Sequence, residues 1–144
     1  MRAAAVLLVL LALAGCGGVV QVDPPKPVGE AAAACDKLAA SLPKTLDGAE
    51  RGTSEPASPY VAVWGEASIA LRCGVPRPVR MAPTDQLQEI NGVGWFADPD
   101  KPILFSAVAA PTYVEVTVGG EHAAADVLAE LSQPIGRAVS TQAG

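Results

Sequence analysis

Leu87-Gln88-Glu89-Ile90-Asn91-Gly92-Val93-Gly94-Trp95-Phe96 is the stretch from which the fold is read. Asn-Gly suits a type I′ turn, which needs positive φ at both central residues, and such a turn joins two antiparallel strands. Residues 87–90 and 93–96 therefore pair as a hairpin. Downstream, Asp98-Pro99-Asp100-Lys101-Pro102 reads as a turn, followed by strands over 103–108 and 112–118. In the second of these, Val114, Val116 and Val118 alternate with Tyr113, Glu115 and Thr117. A period of two buries one face and wets the other. Gly119-Gly120 ends the sheet. Upstream, residues 60–64 and 68–73 form a second hairpin around Gly65-Glu66. Residues 74–83 read as a Pro-rich connector, and residues 44–59, with Gly48, Gly52, Pro56 and Pro59, as an exposed loop.

Helical spacing flanks these strands. Over residues 29–42, Ala31, Cys35, Leu38 and Leu42 recur at four, three and four and make one face. Glu30 sits at the positive end of the helix dipole, and Pro43 stops the run. Over residues 123–140, Val127, Leu128, Leu131, Ile135 and Val139 form one stripe. Pro134 lies inside it and should kink the helix or divide it in two. The expected class is α+β: a small antiparallel sheet with an N-terminal helix and a kinked C-terminal helix packed on one face. No internal repeat is visible.

The first residues are an address. Arg2 gives a minimal basic start, and residues 3–13 are uninterruptedly apolar. That run is too short to span a bilayer, which takes about 20 residues, but it fits a secretory signal. Leu13-Ala14-Gly15-Cys16 resembles the bacterial lipobox, in which the cysteine thiol receives diacylglycerol. Two acyl chains anchor stably because each buried CH₂ contributes about 0.8 kcal/mol. Residues 17–28, with Pro24, Pro25 and Pro27, read as a polyproline-rich spacer reaching at most about 37 Å. The expected organisation is a signal peptide over 1–15, a lipidated Cys16 and tether over 16–28, and one domain over 29–144. At 144 residues there is room for a single core.

With Cys16 acylated, Cys35 and Cys73 remain. An even pair in an exported chain is most simply a disulfide; two buried free thiols are the alternative. No CxxC is present for redox exchange. The net charge of −5 argues against nucleic acid, whose phosphates need a basic surface.

Five segments stand in a recognisable order: Leu13-Ala14-Gly15-Cys16, Tyr60-Val61-Ala62-Val63-Trp64-Gly65, Leu71-Arg72-Cys73-Gly74-Val75-Pro76-Arg77-Pro78, Ile90-Asn91-Gly92-Val93-Gly94-Trp95-Phe96 and Tyr113-Val114-Glu115-Val116-Thr117-Val118. Together they resemble the actinobacterial secreted-lipoprotein family known as domain of unknown function 3515. The resemblance covers nearly the whole chain. It implies export and one compact domain, and it brings no activity and no catalytic residue.

Little else points to chemistry. His122 is the only histidine, expected to be exposed and without a partner, as a base or ligand would need. Ser41-Leu42-Pro43-Lys44 matches the S-x-x-K pattern of penicillin-recognising enzymes, but Pro43 ends the helix that pattern requires. Asp98 and Asp100 offer too few oxygens for calcium. Arg72, Arg77 and Arg80 form one basic patch suited to carboxylate or phosphate, unless they pair with the chain's own fifteen acids. Trp64 and Trp95 would be core residues or, if exposed together, a platform for a sugar or peptide. The expectation is a lipoprotein on the extracytoplasmic face of the cell membrane, held by the lipid on Cys16. It would be a non-catalytic module that binds an envelope protein or an anionic envelope component, without cofactor or metal. A small-ligand binding protein is the alternative, and an unfamiliar hydrolase the third reading.

Expressed with lipoprotein processing, the mature chain should begin at Cys16, carry the mass of diacylglycerol and partition with membranes. Cys16→Ser should lose all three, by intact mass and fractionation. An unmodified, released wild-type chain would remove the anchor.

Overall fold

In the computed structural model, which describes residues 19–141, six antiparallel strands form the main sheet. They are β1 (Val61–Trp64), β2 (Ile69–Val75), β3 (Gln88–Ile90), β4 (Val93–Ala97), β5 (Leu104–Ala107) and β6 (Tyr113–Val118). Their spatial order is β1-β2-β6-β5-β4-β3. The last strand in the chain thus lies between the β1–β2 hairpin and the β3–β4–β5 meander, pairing with β2 on one side and β5 on the other. The Asn91-Gly92 hairpin forms in the expected register, with Ile90 opposite Val93. Asn91 and Gly92 have φ of 48° and 81°, as a type I′ turn demands.

Strand alternation decides what is buried. On β2, Ile69, Leu71, Cys73 and Val75 are buried; on β6, Val114, Val116 and Val118. These residues, except Val75, join one core with Cys35 and Leu38 of α1 (Gly29–Ser41) and Val127, Leu128, Leu131 and Ile135 of α2 (Ala124–Ala138). On β4, Val93 and Trp95 belong to that core. Phe96, pointing the other way, joins Met81 and Val108 in a second, smaller cluster. Residues from the connector, Met81 and Leu87, thereby cover part of the opposite face.

Cys35 and Cys73 are disulfide-bonded, with Cα atoms 5.6 Å apart. The bond joins the buried face of α1 to the middle of β2. Both thiol positions are sealed from solvent.

Three expectations need correction. Residues 44–59 are not simply a loop. Thr45–Leu46 pairs with Ala49–Glu50, Arg51 bridges to Trp64, and Leu46 is fully buried. Strands of two residues are too short to show a period, which is why composition alone suggested a loop. Pro134 does not divide the last helix, since α2 is continuous through it. Its missing N–H costs one hydrogen bond, while its ring is buried among the helix's apolar residues. The described part of the Pro-rich tether is not a free spacer. Val20–Gln21 adds in parallel to Ser54–Glu55, and Asp23 accepts a hydrogen bond from Arg72. Pro27 packs on Gly74, where a Cβ would come within 2.6 Å of its ring. Gly74 also has φ +98°, so only glycine fits there without strain. Cys16 and the signal segment lie outside the described residues. Among those described, no helix is long and apolar enough to cross a membrane.

The disulfide closes a chain segment of 38 residues. The chain-entropy model then assigns it roughly 4 kcal/mol. Replacing both Cys35 and Cys73 by Ala should lower the urea unfolding free energy by about that amount. A loss under about 1 kcal/mol would mean the bond constrains the unfolded chain little.

Candidate functional site

The two tryptophans are core residues, not a platform. Trp64 is 0% and Trp95 1% exposed. Each indole N–H has a partner: Trp64 donates to the Pro43 carbonyl at 3.1 Å and Trp95 to Ser132 Oγ at 3.1 Å. The Arg51 guanidinium lies over the Trp64 ring, 5.0 Å from its centroid. Partial burial lowers the Arg51 pKa from the ordinary arginine value.

The three arginines of the basic patch are all engaged. Arg72 stands directly across from Glu115 in the β2–β6 ladder and pairs with it at 3.0 Å. Its Nε also donates to the Asp23 carbonyl at 3.0 Å. Arg80 pairs with Asp100 at 2.7 Å, both well exposed. Arg77 donates to the Met81 carbonyl of its own connector. Two of the three are therefore balanced by the chain's own acids.

Even so, Arg72 and Arg77 come together. The pleat that buries Leu71 and Cys73 turns Arg72 to the sheet face opposite the helices. There Arg72, Arg77, Lys101, Leu104, Asp98 and Glu115 help line a hollow of about 310 Å³. A second hollow of about 530 Å³ shares Arg72, Lys101, Leu104 and Glu115 and extends to Ile103 and Thr117. Together they form a groove with three basic, two acidic and several apolar lining residues. Val79, 97% exposed, borders one hollow, and Ile103, 46% exposed, the other. Arg80 lines neither. The sequence did not single out Glu115 or Lys101, because strand register places Glu115 across from Arg72 and the turn before β5 brings Lys101 to the same hollows. A larger hollow of about 620 Å³ lies beside α2, where Glu130 and Arg137 oppose each other in charge. None of the large exposed apolar side chains borders it, so it defines no ligand class.

A second constellation joins three turns. His122, in the loop between β6 and α2, is not the exposed and unpartnered residue expected. Its Nε2 lies 2.8 Å from Ser68 Oγ and its Nδ1 2.9 Å from Asp47 Oδ2. The His122 side chain is only 12% exposed. A carboxylate only accepts, so Nδ1 carries the proton toward Asp47, and with Nε2 unprotonated that nitrogen accepts from the serine hydroxyl. Ser68 Oγ also lies 3.4 Å from the Trp64 carbonyl, a longer contact. Asp47 (φ 46°) and Gly48 (φ 76°) form the tip of the small hairpin. Ser68 follows Gly65, Glu66 and Ala67, all with positive φ. Separations of 54 and 75 residues left no sequence signal for these contacts.

Among the described residues, no group of three or more His, Cys, Asp or Glu could hold a metal. Fold and sites together define a small disulfide-bonded α+β protein whose helix-free face carries a groove lined by Arg72, Arg77, Lys101, Asp98 and Glu115. The family model described as "Protein of unknown function (DUF3515)" matches residues 2–143, and the chain belongs to that family. No curated protein and no solved structure matches the chain.

Arg72 and Glu115 remain 30% and 23% exposed, so solvent screens the pair and its coupling should stay below about 1 kcal/mol. A double-mutant cycle of Arg72→Ala and Glu115→Ala in urea checks this. Coupling above about 2 kcal/mol would show a far less screened pair than its exposure implies.

Proposed function

We propose that this protein is a lipoprotein of the extracytoplasmic face of the cell membrane, anchored through Cys16, whose helix-free groove binds an anionic envelope component. The lipobox and the resemblance to actinobacterial secreted lipoproteins support the address. The binding reading rests on one observation. In a chain of net charge −5, Arg72, Arg77 and Lys101 border adjoining hollows beside exposed Val79 and Ile103. Guanidinium forks and an ammonium favour phosphate or carboxylate, and the apolar rim favours a ligand with a hydrocarbon portion. The acidic remainder of the chain opposes broad adsorption to an anionic surface, so one molecule in the groove is the fitting mode. The sugar-platform alternative loses its support, because both tryptophans are buried.

The test is titration of the folded chain with soluble short-chain phosphatidylglycerol, against phosphatidylcholine of equal chain length. Saturable binding to the anionic lipid is expected. Arg77→Glu combined with Lys101→Glu should weaken it at least tenfold while leaving the melting temperature near that of wild type. Equal binding of both lipids, or binding unmoved by the double substitution, would overturn the assignment.

A further inference from the structure

We propose that Ser68, His122 and Asp47 are a nucleophile, a general base and an orienting carboxylate, and that they hydrolyse unhindered carboxylic esters presented at the protein surface. This goes beyond groove binding: none of the three residues lines either hollow of the groove. It also runs against the sequence expectation of a chain without catalytic residues.

The hydrogen bonds stand in the order that acyl-transfer chemistry requires. The hydroxyl meets one ring nitrogen at 2.8 Å and the carboxylate meets the other at 2.9 Å. Both lie within proton-transfer reach, and the carboxylate fixes the tautomer that leaves Nε2 free to accept. The three turns do not need these side chains to hold them together. Gly119 N donates to the Ser68 carbonyl at 2.7 Å, His122 N to Gly119 at 3.0 Å, and Gly65 N to Glu50 at 3.0 Å. The main chain therefore presents the side chains from a fixed frame, as a preorganised site demands.

The turn before Ser68 is shaped around its hydroxyl. A Cβ at Gly65 would sit 2.6 Å from Ser68 Oγ. Glu66 and Ala67 hold left-handed φ values of 55° and 63° without being glycine, a strain of the kind concentrated at functional sites. Among the described residues, their N–H groups make no hydrogen bond. Ser68 is half-buried and lines none of the hollows described above. The lack of an adjoining hollow sets the substrate class: small or flexible esters need no deep subsite, whereas a substrate that must be held in one has none here.

In the first step His122 Nε2 takes the Ser68 proton as Oγ bonds to the ester carbonyl carbon. The carbon–oxygen bond to the alcohol then breaks, and the alcohol leaves with that proton. Water, giving its proton to His122, attacks the acyl-Ser68 ester. The carboxylic acid departs, and the proton returns to Ser68.

The test is intact-mass labelling of the folded full chain with a fluorophosphonate, alongside hydrolysis of p-nitrophenyl acetate. Wild type should take a single adduct, mapped to Ser68. Ser68→Ala should take none, and His122→Ala and Asp47→Asn should label at least tenfold more slowly, with ester turnover falling in parallel. Absence of an adduct on folded wild type, where a serine esterase labels fully, would falsify the proposal. So would equal labelling of His122→Ala, which a purely structural hydrogen bond predicts. Should His122→Ala lose its fold by circular dichroism, the Asp47→Asn rate decides: a tenfold fall supports the triad and an unchanged rate overturns it.

Discussion

The ladder between β2 and β6 is the pairing on which the rest of the molecule depends. On one side of it stands the β1–β2 hairpin; on the other, the β5–β4–β3 meander. Each side is local in sequence and closes through short turns, yet neither is joined to the other until β6 enters between them. Its residues 113–118 must find residues 69–75 across the whole intervening meander. Closing so long a loop costs entropy before any contact offsets it. The valine alternation of β6 meets that cost by placing Val114, Val116 and Val118 in the core at once.

The same ladder also separates the two faces of the protein. Cys73 lies opposite Val114 and points to the helices, where it bonds to Cys35. One residue earlier, Arg72 lies opposite Glu115 and points away. The disulfide and the groove thus share a strand, with side chains a single residue apart. A slip of one position in the register would carry a charged pair into the core and a cystine into solvent. The apolar set therefore fixes which face Arg72 and Glu115 occupy. Arg72 itself has two duties, holding the Asp23 carbonyl of the N-terminal segment while bordering both hollows.

What could be read from the sequence was local or periodic. The Asn91-Gly92 turn, the alternation of residues 113–118 and the helical stripe of α2 each carry their signal within a few residues. The Cys35–Cys73 pair followed from counting. The missed features depend on tertiary pairing. Two-residue strands at 45–46, 49–50 and 54–55 leave no period to detect. Trp64 and Trp95 gave no sign of which way they point until register and helix packing were known. Convergence of Arg72 with Arg77, and the absence of Arg80 from that hollow, depend on how the connector folds over the sheet. Ser68, His122 and Asp47 are three common residues in three turns, and only the arrangement of β1, β6 and the small hairpin brings them together.

The docked N-terminal segment changes what an anchor at Cys16 would accomplish. Only Gly17, Gly18 and Val19 separate that cysteine from Val20, the first residue paired to the domain. The four Cα–Cα steps from Cys16 to Val20 span no more than about 14 Å even when fully extended. A leash so short governs heading more than height. With acyl chains on Cys16, the side of the domain bearing Ser54 and Glu55 would be held near the bilayer. That edge of the domain would then be less open to a soluble partner than the opposite one.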